Sequence, residues 1–313
     1  MKTTLILKRI KDKLALLKKA RPFPPYLINK LREQFSIEMN YNSNAIEGNT
    51  LTLRETMLVL QQGITIKGKP LKDHLEVKNQ AKAIEYLYDI VDSKKDIPLS
   101  EMLIRNLHNL IVQNIDGVEA GSYRAYDVRI TGSKHTPPPA FDVPHRMRDL
   151  LKWYRENKNK LDIITLATEF KHRFVFIHPF GDGNGRASRL ILNIILMKAG
   201  YPIVVILKND RAKYYKALQK ADDGGMEDLI LFTSQAVERS LDLYIRAIRN
   251  STKENTLMPL SKIAPGTKYD AEYLGLLVRT GKVAGIKEGR NWKTSLDAIQ
   301  RYEMSLTRKS RKK

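Results

Sequence analysis

The sequence predicts a mainly α protein: a helical bundle carrying one small β-hairpin, followed by a small basic unit of helix, turn, helix and hairpin. Three observations carry this. Long stretches repeat apolar residues every three to four positions. Two neighbouring stretches, 162–177 and 186–199, are so apolar that they belong at the centre of a bundle. In the bundle region one short run, Val128-Arg129-Ile130-Thr131, is β-branched enough to read as hairpin.

Residues 2–21 hold eight Lys/Arg and one acid, Asp12, interleaved with Leu5, Leu7, Leu14, Leu16 and Leu17. That pattern reads as a solvated amphipathic helix, and Arg21-Pro22-Phe23-Pro24-Pro25 ends it. A helix over 26–47 places Leu27, Leu31, Phe35 and Met39 at period four, with Gly48 as its end. Thr52-Leu53-Arg54-Glu55 is a capping box for a helix that stops near Gly63. Residues 73–91 and 100–113 are further helices. From Gly121 to Pro139 the β-branched run, Gly132 and three prolines predict a hairpin with a rigid exit.

The two central helices follow. The second, through Leu190, Ile191, Leu192, Ile194, Ile195, Leu196 and Met197, ends at Gly200 and Pro202. Helices over 211–221 and from Glu227 to about Asn250 complete the bundle, and 251–258 reads as a linker. The domain organisation is an N-terminal helical region 1–95, a core 96–250, a small unit 259–306 and a disordered basic tail 307–313.

A chain of 313 residues leaves room for a large core and more than one domain. Lys and Arg number 55 against 34 Asp and Glu, a formal charge of +21, which attracts nucleotides, nucleic acid or anionic membrane. The absence of cysteine excludes disulfides, cysteine-ligated zinc, iron–sulfur clusters and a thiol nucleophile. No apolar run approaches the roughly 18 residues a membrane helix needs. The Leu5-Ile6-Leu7 run is too short for a signal-peptide core, so the expected compartment is the cytoplasm.

Between the central helices lies His178-Pro179-Phe180-Gly181-Asp182-Gly183-Asn184-Gly185-Arg186-Ala187-Ser188-Arg189. Three glycines in five residues let backbone N–H groups turn into one concavity. That concavity opens into a helix N-terminus, with its free donors and partial positive charge. Arg186 and Arg189 share a helix face. These features describe a polyphosphate cradle. Asp182 is the natural ligand for Mg²⁺, which prefers one or two carboxylates plus phosphate oxygens. His178 follows a helix C-terminus, whose dipole favours its protonated form, and is a candidate general base.

The loop resembles the Fic (Fido) motif HPFx(D/E)GNGRxxR at every defining position. The resemblance spans roughly 40–250. It implies transfer of AMP from ATP to a target protein's hydroxyl side chain, or to the chain itself, with pyrophosphate leaving. It implies that His178 takes the hydroxyl proton and that Asp182 holds Mg²⁺. It assigns the nucleotide to Gly181, Gly183, Asn184 (α-phosphate), Gly185, Arg186 (β-phosphate) and Arg189 (γ-phosphate), with Tyr214, Tyr215 and Asp222 nearer the base or ribose. Asp222 stands where many relatives carry asparagine. The 127–136 hairpin resembles the family's target-docking flap, with Ile130, Thr131, Gly132 and Ser133 at its tip. His172 reads as a packing or hydrogen-bonded histidine.

Upstream, Ser43-Asn44-Ala45-Ile46-Glu47-Gly48-Asn49 resembles the family's inhibitory motif (S/T)xxxE(G/N). Glu47 lies in the last turn of its predicted helix, where a negative charge opposes the macrodipole and wants a cation. The resemblance names that cation as Arg189, in a bidentate pair that takes the γ-phosphate group's place. Removal of AMP at the same site, with Glu47 aligning water, fits the same residues. So does a DNA-binding regulator that keeps the core as a nucleotide sensor. A homodimer is a further expectation.

Residues 259–306 resemble small winged helix-turn-helix modules of excisionase and MerR type, with a helix over 271–280 and Gly289 at the tip of the wing. From 255 to 313 there are 13 basic and five acidic residues. Lys268, Arg279, Arg290 and Lys293, together with Lys287, are candidate contacts to DNA phosphates.

Overall fold

A helix apolar on nearly every side has to be surrounded, and the fold is built around one. The structure, a computed structural model, describes residues 2–115, 117, 119–254 and 256–310. The helices are α1 (Lys2–Lys19), α2 (Pro25–Ile46), α3 (Leu53–Gln62), α4 (Leu71–Asp92), α5 (Glu101–Val112), α6 (Val143–Asn157), α7 (Ile163–Ile177), α8 (Asn184–Lys198), α9 (Arg211–Asp222), α10 (Glu227–Glu254), α11 (Leu260–Ile263), α12 (Ala271–Arg279) and α13 (Leu296–Ser310). The chain divides into two compact units, 1–21 with 28–244, and 22–27 with 245–313.

In the larger unit α8 is buried from Arg186 to Leu196 on all faces. It packs on α7, α4 and α5, while α6 covers the far side of α7. Phe170, Phe174 and Phe180 fill the α7 side. Buried Asn193 anchors the extended segment after α8: its amide donates to the Val204 carbonyl and accepts the Val204 N–H. α2 contributes Leu31, Phe35, Met39 and Ile46 to the core. The capping box is present: Glu55 N–H donates to Thr52 Oγ1 while Glu55 receives the Thr52 N–H. Gly63, at φ 70°, closes that helix in the left-handed conformation.

The smaller unit has its own core, Ile263, Leu274, Leu277, Val278, Val283, Ala298 and Ile299. Its antiparallel sheet has strand order β1 (Met258–Pro259), β3 (Asn291–Thr294), β2 (Gly285–Glu288). Gly285 faces Thr294 and Glu288 faces Asn291, which puts Gly289 at the tip of the β2–β3 hairpin.

Four expectations change. Helix α6 was not expected. Its buried Val143, Met147, Leu150 and Leu151 have helical spacing, and Pro144 sits in its first turn, where proline is tolerated. The linker read over 251–258 does not begin at 251: α10 continues to Glu254 and Met258 pairs in the sheet. The tail read as disordered is helical to Ser310, and 311–313 lie outside the described residues.

The flap keeps its turn, with Ser133 N–H donating to the Ile130 carbonyl at 3.1 Å and Gly132 at φ 79°, but has no paired strands. Side chains take the place of the ladder. Buried Arg124 donates to the carbonyls of Tyr126, Pro138 and His178. Asp127 accepts the Ala140 N–H at 2.7 Å. Three prolines bring no N–H at all.

Leu190 is fully buried on α8. Leu190→Ala is expected to cost about 2–5 kcal/mol in denaturant unfolding. Exposed Leu16→Ala is expected to stay within about 0.5 kcal/mol of the parent.

Candidate active site

The loop between α7 and α8 gathers the polar chemistry of the larger unit. His178 caps α7 in the left-handed conformation (φ 50°, ψ 61°), and its N–H donates to the Phe174 carbonyl at 3.0 Å. A non-glycine residue in that region is strained. Arg124 Nε holds it by donating to the His178 carbonyl at 2.9 Å. Burial pushes the imidazole pKa down to about 4, against the opposing pull of the Val175 carbonyl. The dipole argument, which favours the protonated ring, is overruled by desolvation: His178 is a neutral base near pH 7.

Asn184 opens α8 and staples the loop. Its Oδ1 accepts the Phe180 N–H at 3.0 Å and its Nδ2 donates to the Phe180 carbonyl at 2.8 Å. Both polar atoms bond the backbone, so Asn184 shapes the loop, and its Nδ2 keeps a second N–H. Gly183 sits at φ 78°, and a Cβ there would press on Val112 and His108. A Cβ at Gly181 would collide with the Tyr126 hydroxyl.

Asp182 lies half exposed, with its carboxylate accepting the Gly183 N–H at 2.6 Å and Arg186 Nη2 at 3.2 Å. Burial raises its pKa, but Arg186, the Gly183 N–H and Lys72 outweigh that and hold it below the usual carboxylate range. No cluster of three metal-ligating side chains exists among the described residues. A lone charged carboxylate beside a phosphate cradle fits Mg²⁺, which completes its shell with phosphate oxygens and water.

Both loop arginines are buried and answered by carboxylates from the N-terminal helices. Arg186 Nη1 lies 3.1 Å from Glu76 of α4 as an ion pair without hydrogen-bond alignment, and neither Nη1 nor Nε finds an acceptor among the described residues. Arg189 Nη2 donates to Glu47 Oε1 at 2.7 Å and to the Ser43 carbonyl at 2.8 Å, and Nε donates to Ser43 Oγ at 2.9 Å. The pair with Glu47 is therefore single rather than bidentate, and Ser43 takes Nε–H and the second Nη2–H. The Glu47 carboxylate rests against Gly185, where a Cβ would collide with it. Arg211 Nε donates to the Ile46 carbonyl at 2.8 Å, placing a cation on the C-terminal end of α2.

Four further residues were not singled out by the sequence. Asn49 donates to Glu76 at 2.9 Å and to the Asp73 carbonyl at 3.0 Å, joining the turn after α2 to the carboxylate on Arg186. Lys171, fully buried, donates to the Tyr214 hydroxyl, and burial holds its pKa well below the ordinary range. Glu76 gave no signal, being one polar residue in a mixed helix. His108 gave one: it stands on the apolar face of α5 with Leu103, Ile104, Leu107 and Ile111.

Tyr214 is only 2% exposed and belongs to the core with Ile46, Ile206 and Ala217. Half-buried Tyr215 lies under Arg211. Asp222 accepts from His172 Nε2 at 2.9 Å, so this carboxylate is paired. The turn Ile130–Ser133 is largely exposed. In the smaller unit Lys268 pairs with Glu303 at 3.2 Å and Lys293 pairs with Glu288. Arg279 and Arg290 have no ion pair among the described residues and are exposed.

The Fic/DOC family matches over residues 98–196. The chain is 34% identical over 221 residues to the Drosophila melanogaster protein named protein adenylyltransferase Fic, covering 70% of this chain and 44% of that one. It thus spans less than half the length of the curated relatives it matches. Fic-1 of C. elegans (residues 134–508) superposes with a TM-score of 0.72 at 29% identity, covering 80% of this chain and 73% of that one. A Fic domain containing signaling protein from Bacteroides thetaiotaomicron gives a TM-score of 0.70 at 32% identity, over 78% of this chain and 97% of that one. With the loop, the helices that carry it and nearly all of that bacterial chain matched, this protein belongs to the Fic/DOC family.

Proposed function

We propose that the protein is an adenylyltransferase that moves AMP from ATP to the hydroxyl of a Ser, Thr or Tyr side chain, on a target protein or on itself. One observation carries the reading: Arg186 is buried at the N-terminus of α8 with an Nε–H that lacks an acceptor. An unanswered buried donor is costly, and an anion removes the cost. The helix terminus behind it supplies further N–H groups and positive potential. The name of the Drosophila relative supports ATP as the source and AMP as the cargo.

In this mechanism the target hydroxyl attacks the α-phosphorus in line, the bond to the β-phosphate oxygen breaks, and pyrophosphate leaves. The neutral imidazole of His178 accepts the hydroxyl proton. Arg186 holds the β-phosphate, and Arg189, once freed, holds the γ-phosphate. Asp182 is the residue that would hold Mg²⁺, which neutralises phosphate charge when bound. Catalysis is then mostly positioning and charge stabilisation. The exposed turn at Ile130–Ser133 docks the target segment.

The resting chain is inhibited. Glu47 occupies both Arg189 and the space over Gly185, so the γ-phosphate competes with a carboxylate already in place. Glu47→Gly is expected to raise label transfer from α-labelled ATP by about 10–10²-fold, the worth of one charged hydrogen bond. Adding His178→Ala is expected to abolish it. Equal transfer by parent and Glu47→Gly would overturn the inhibition, and transfer surviving His178→Ala would overturn the base.

The pH profile follows from burial of His178. With a pKa near 4 the base stays unprotonated from pH 7 down to about 5. Transfer by Glu47→Gly is expected to hold steady over that range and fall as pH drops through about 4. A half-maximal point near 6.5 would mean a solvated histidine.

A second partner is favoured by the smaller unit. Lys262, Arg279, Lys282, Lys287 and Arg290 have no ion pair among the described residues, whereas Glu288, Asp297 and Glu303 are paired. The surface left after self-neutralisation is basic, and duplex DNA is the complementary polyanion. Arg279→Ala with Arg290→Ala is expected to weaken salt-sensitive retention on duplex DNA and to flatten its salt dependence. Unchanged retention would remove DNA as the partner.

A further inference from the structure

We infer that His108 is a positioning residue that pins the first turn of the flap and the catalytic loop to a single side chain. The inference rests on the proposed AMP transfer for what this alignment serves. Each ring nitrogen serves one segment. Gly121 N–H donates to Nδ1 at 3.0 Å, and Nε2 lies 2.9 Å from the Asp182 carbonyl. Only the neutral tautomer with its proton on Nε2 makes both bonds.

The ring is also wedged. It stacks on Phe180 with centroids 3.6 Å apart and planes 1° from parallel. Gly183 lies beneath it, where a Cβ would come within 3.2 Å of His108 Cδ2. Gly121 is held from its other side by Arg105, whose Nε donates to the Gly121 carbonyl at 2.6 Å. One face of α5 therefore grips both polar groups of Gly121 and reaches across to the loop.

The consequence is mechanical. Asp182 carries the carboxylate fitted to Mg²⁺ on its side chain and the His108 contact on its carbonyl. The next peptide starts α8 and its donors. A shift at the carbonyl moves carboxylate and helix N-terminus together. A shift at Gly121 moves the segment that docks the target. A misplacement of about 1 Å at such a point costs on the order of 10²-fold in rate.

Three variants separate the contacts, each in the Glu47→Gly background of the full chain. His108→Phe keeps a ring for the stack and loses both bonds. His108→Gln offers an amide N–H that reaches the Asp182 carbonyl. His108→Asn offers an acceptor to Gly121 N–H but falls short of Asp182. The Phe variant is expected to lose about 10²-fold in kcat while remaining folded by thermal melting, since the swap nearly conserves volume. The Gln variant is expected to recover to within about tenfold of the parent, and the Asn variant is not. Amide exchange at Gly121 is expected to quicken in the Phe and Gln variants and to stay slow in Asn. Should Phe fail to fold, the Gln and Asn comparison decides alone. Equal activity in Gln and Asn, or unchanged Gly121 exchange in both Phe and Gln, would overturn the assignment. If the Glu47→Gly parent transfers no AMP, the proposed function fails, and Gly121 exchange still decides whether His108 holds that segment.

Discussion

Two guanidinium groups buried at the start of α8 are the constraint around which the larger unit is arranged. A buried charge without a partner is prohibitively costly, so each arginine must meet an anion. The N-terminal helices supply the anions, Glu47 from the end of α2 and Glu76 from α4. The turn between them is tied down in turn: Asn49 bonds Glu76, and Thr50 donates to Asp73 through its N–H at 2.8 Å and its hydroxyl at 2.6 Å. The region that meets the start of α8 is thereby also the region that supplies its arginines with carboxylates. Beyond Glu47, Arg189 makes two bonds to Ser43, which hold its guanidinium independently of the carboxylate.

Burial sets the chemistry of the histidines as well. His178 and His108 are both driven toward neutrality, for different ends. His178 ends α7 in a strained conformation that faces the loop, and its lone pair is what a base requires. His108 uses both nitrogens structurally, one accepting and one donating. The same desolvation thus acts on two rings, one with an unbonded Nδ1 and the other hydrogen-bonded through both nitrogens.

The buried Lys171–Tyr214 pair extends this polar layer beneath Arg189. Burial disfavours charge on both groups: the lysine is pushed down and the phenol up. A neutral amine and a neutral phenol can share a hydrogen bond without the desolvation penalty of an ion pair. Burial works against the charge on Arg189, but Glu47, Tyr214 and Tyr215 together outweigh it and hold its pKa above the ordinary value.

Much of this was legible in the sequence. The periodicity of α7 and α8, the capping box at Thr52, the glycines of the 181–185 loop and the two arginines three residues apart are local features, and local spacing determines them. What sequence could not supply were contacts between residues far apart in the chain. Glu76 meets Arg186 across 110 positions because α4 packs on α8, and nothing in the mixed polarity of α4 marks that one carboxylate. The flap was misread as a hairpin because β-branched residues favour strands in general, whereas here the buried Arg124 claims the carbonyls a ladder would need. Helix α6 went unseen behind three prolines although its apolar spacing was present. The protonation of His178 reversed because a helix dipole is weaker than burial in a dry core, and only packing decides which atoms are dry.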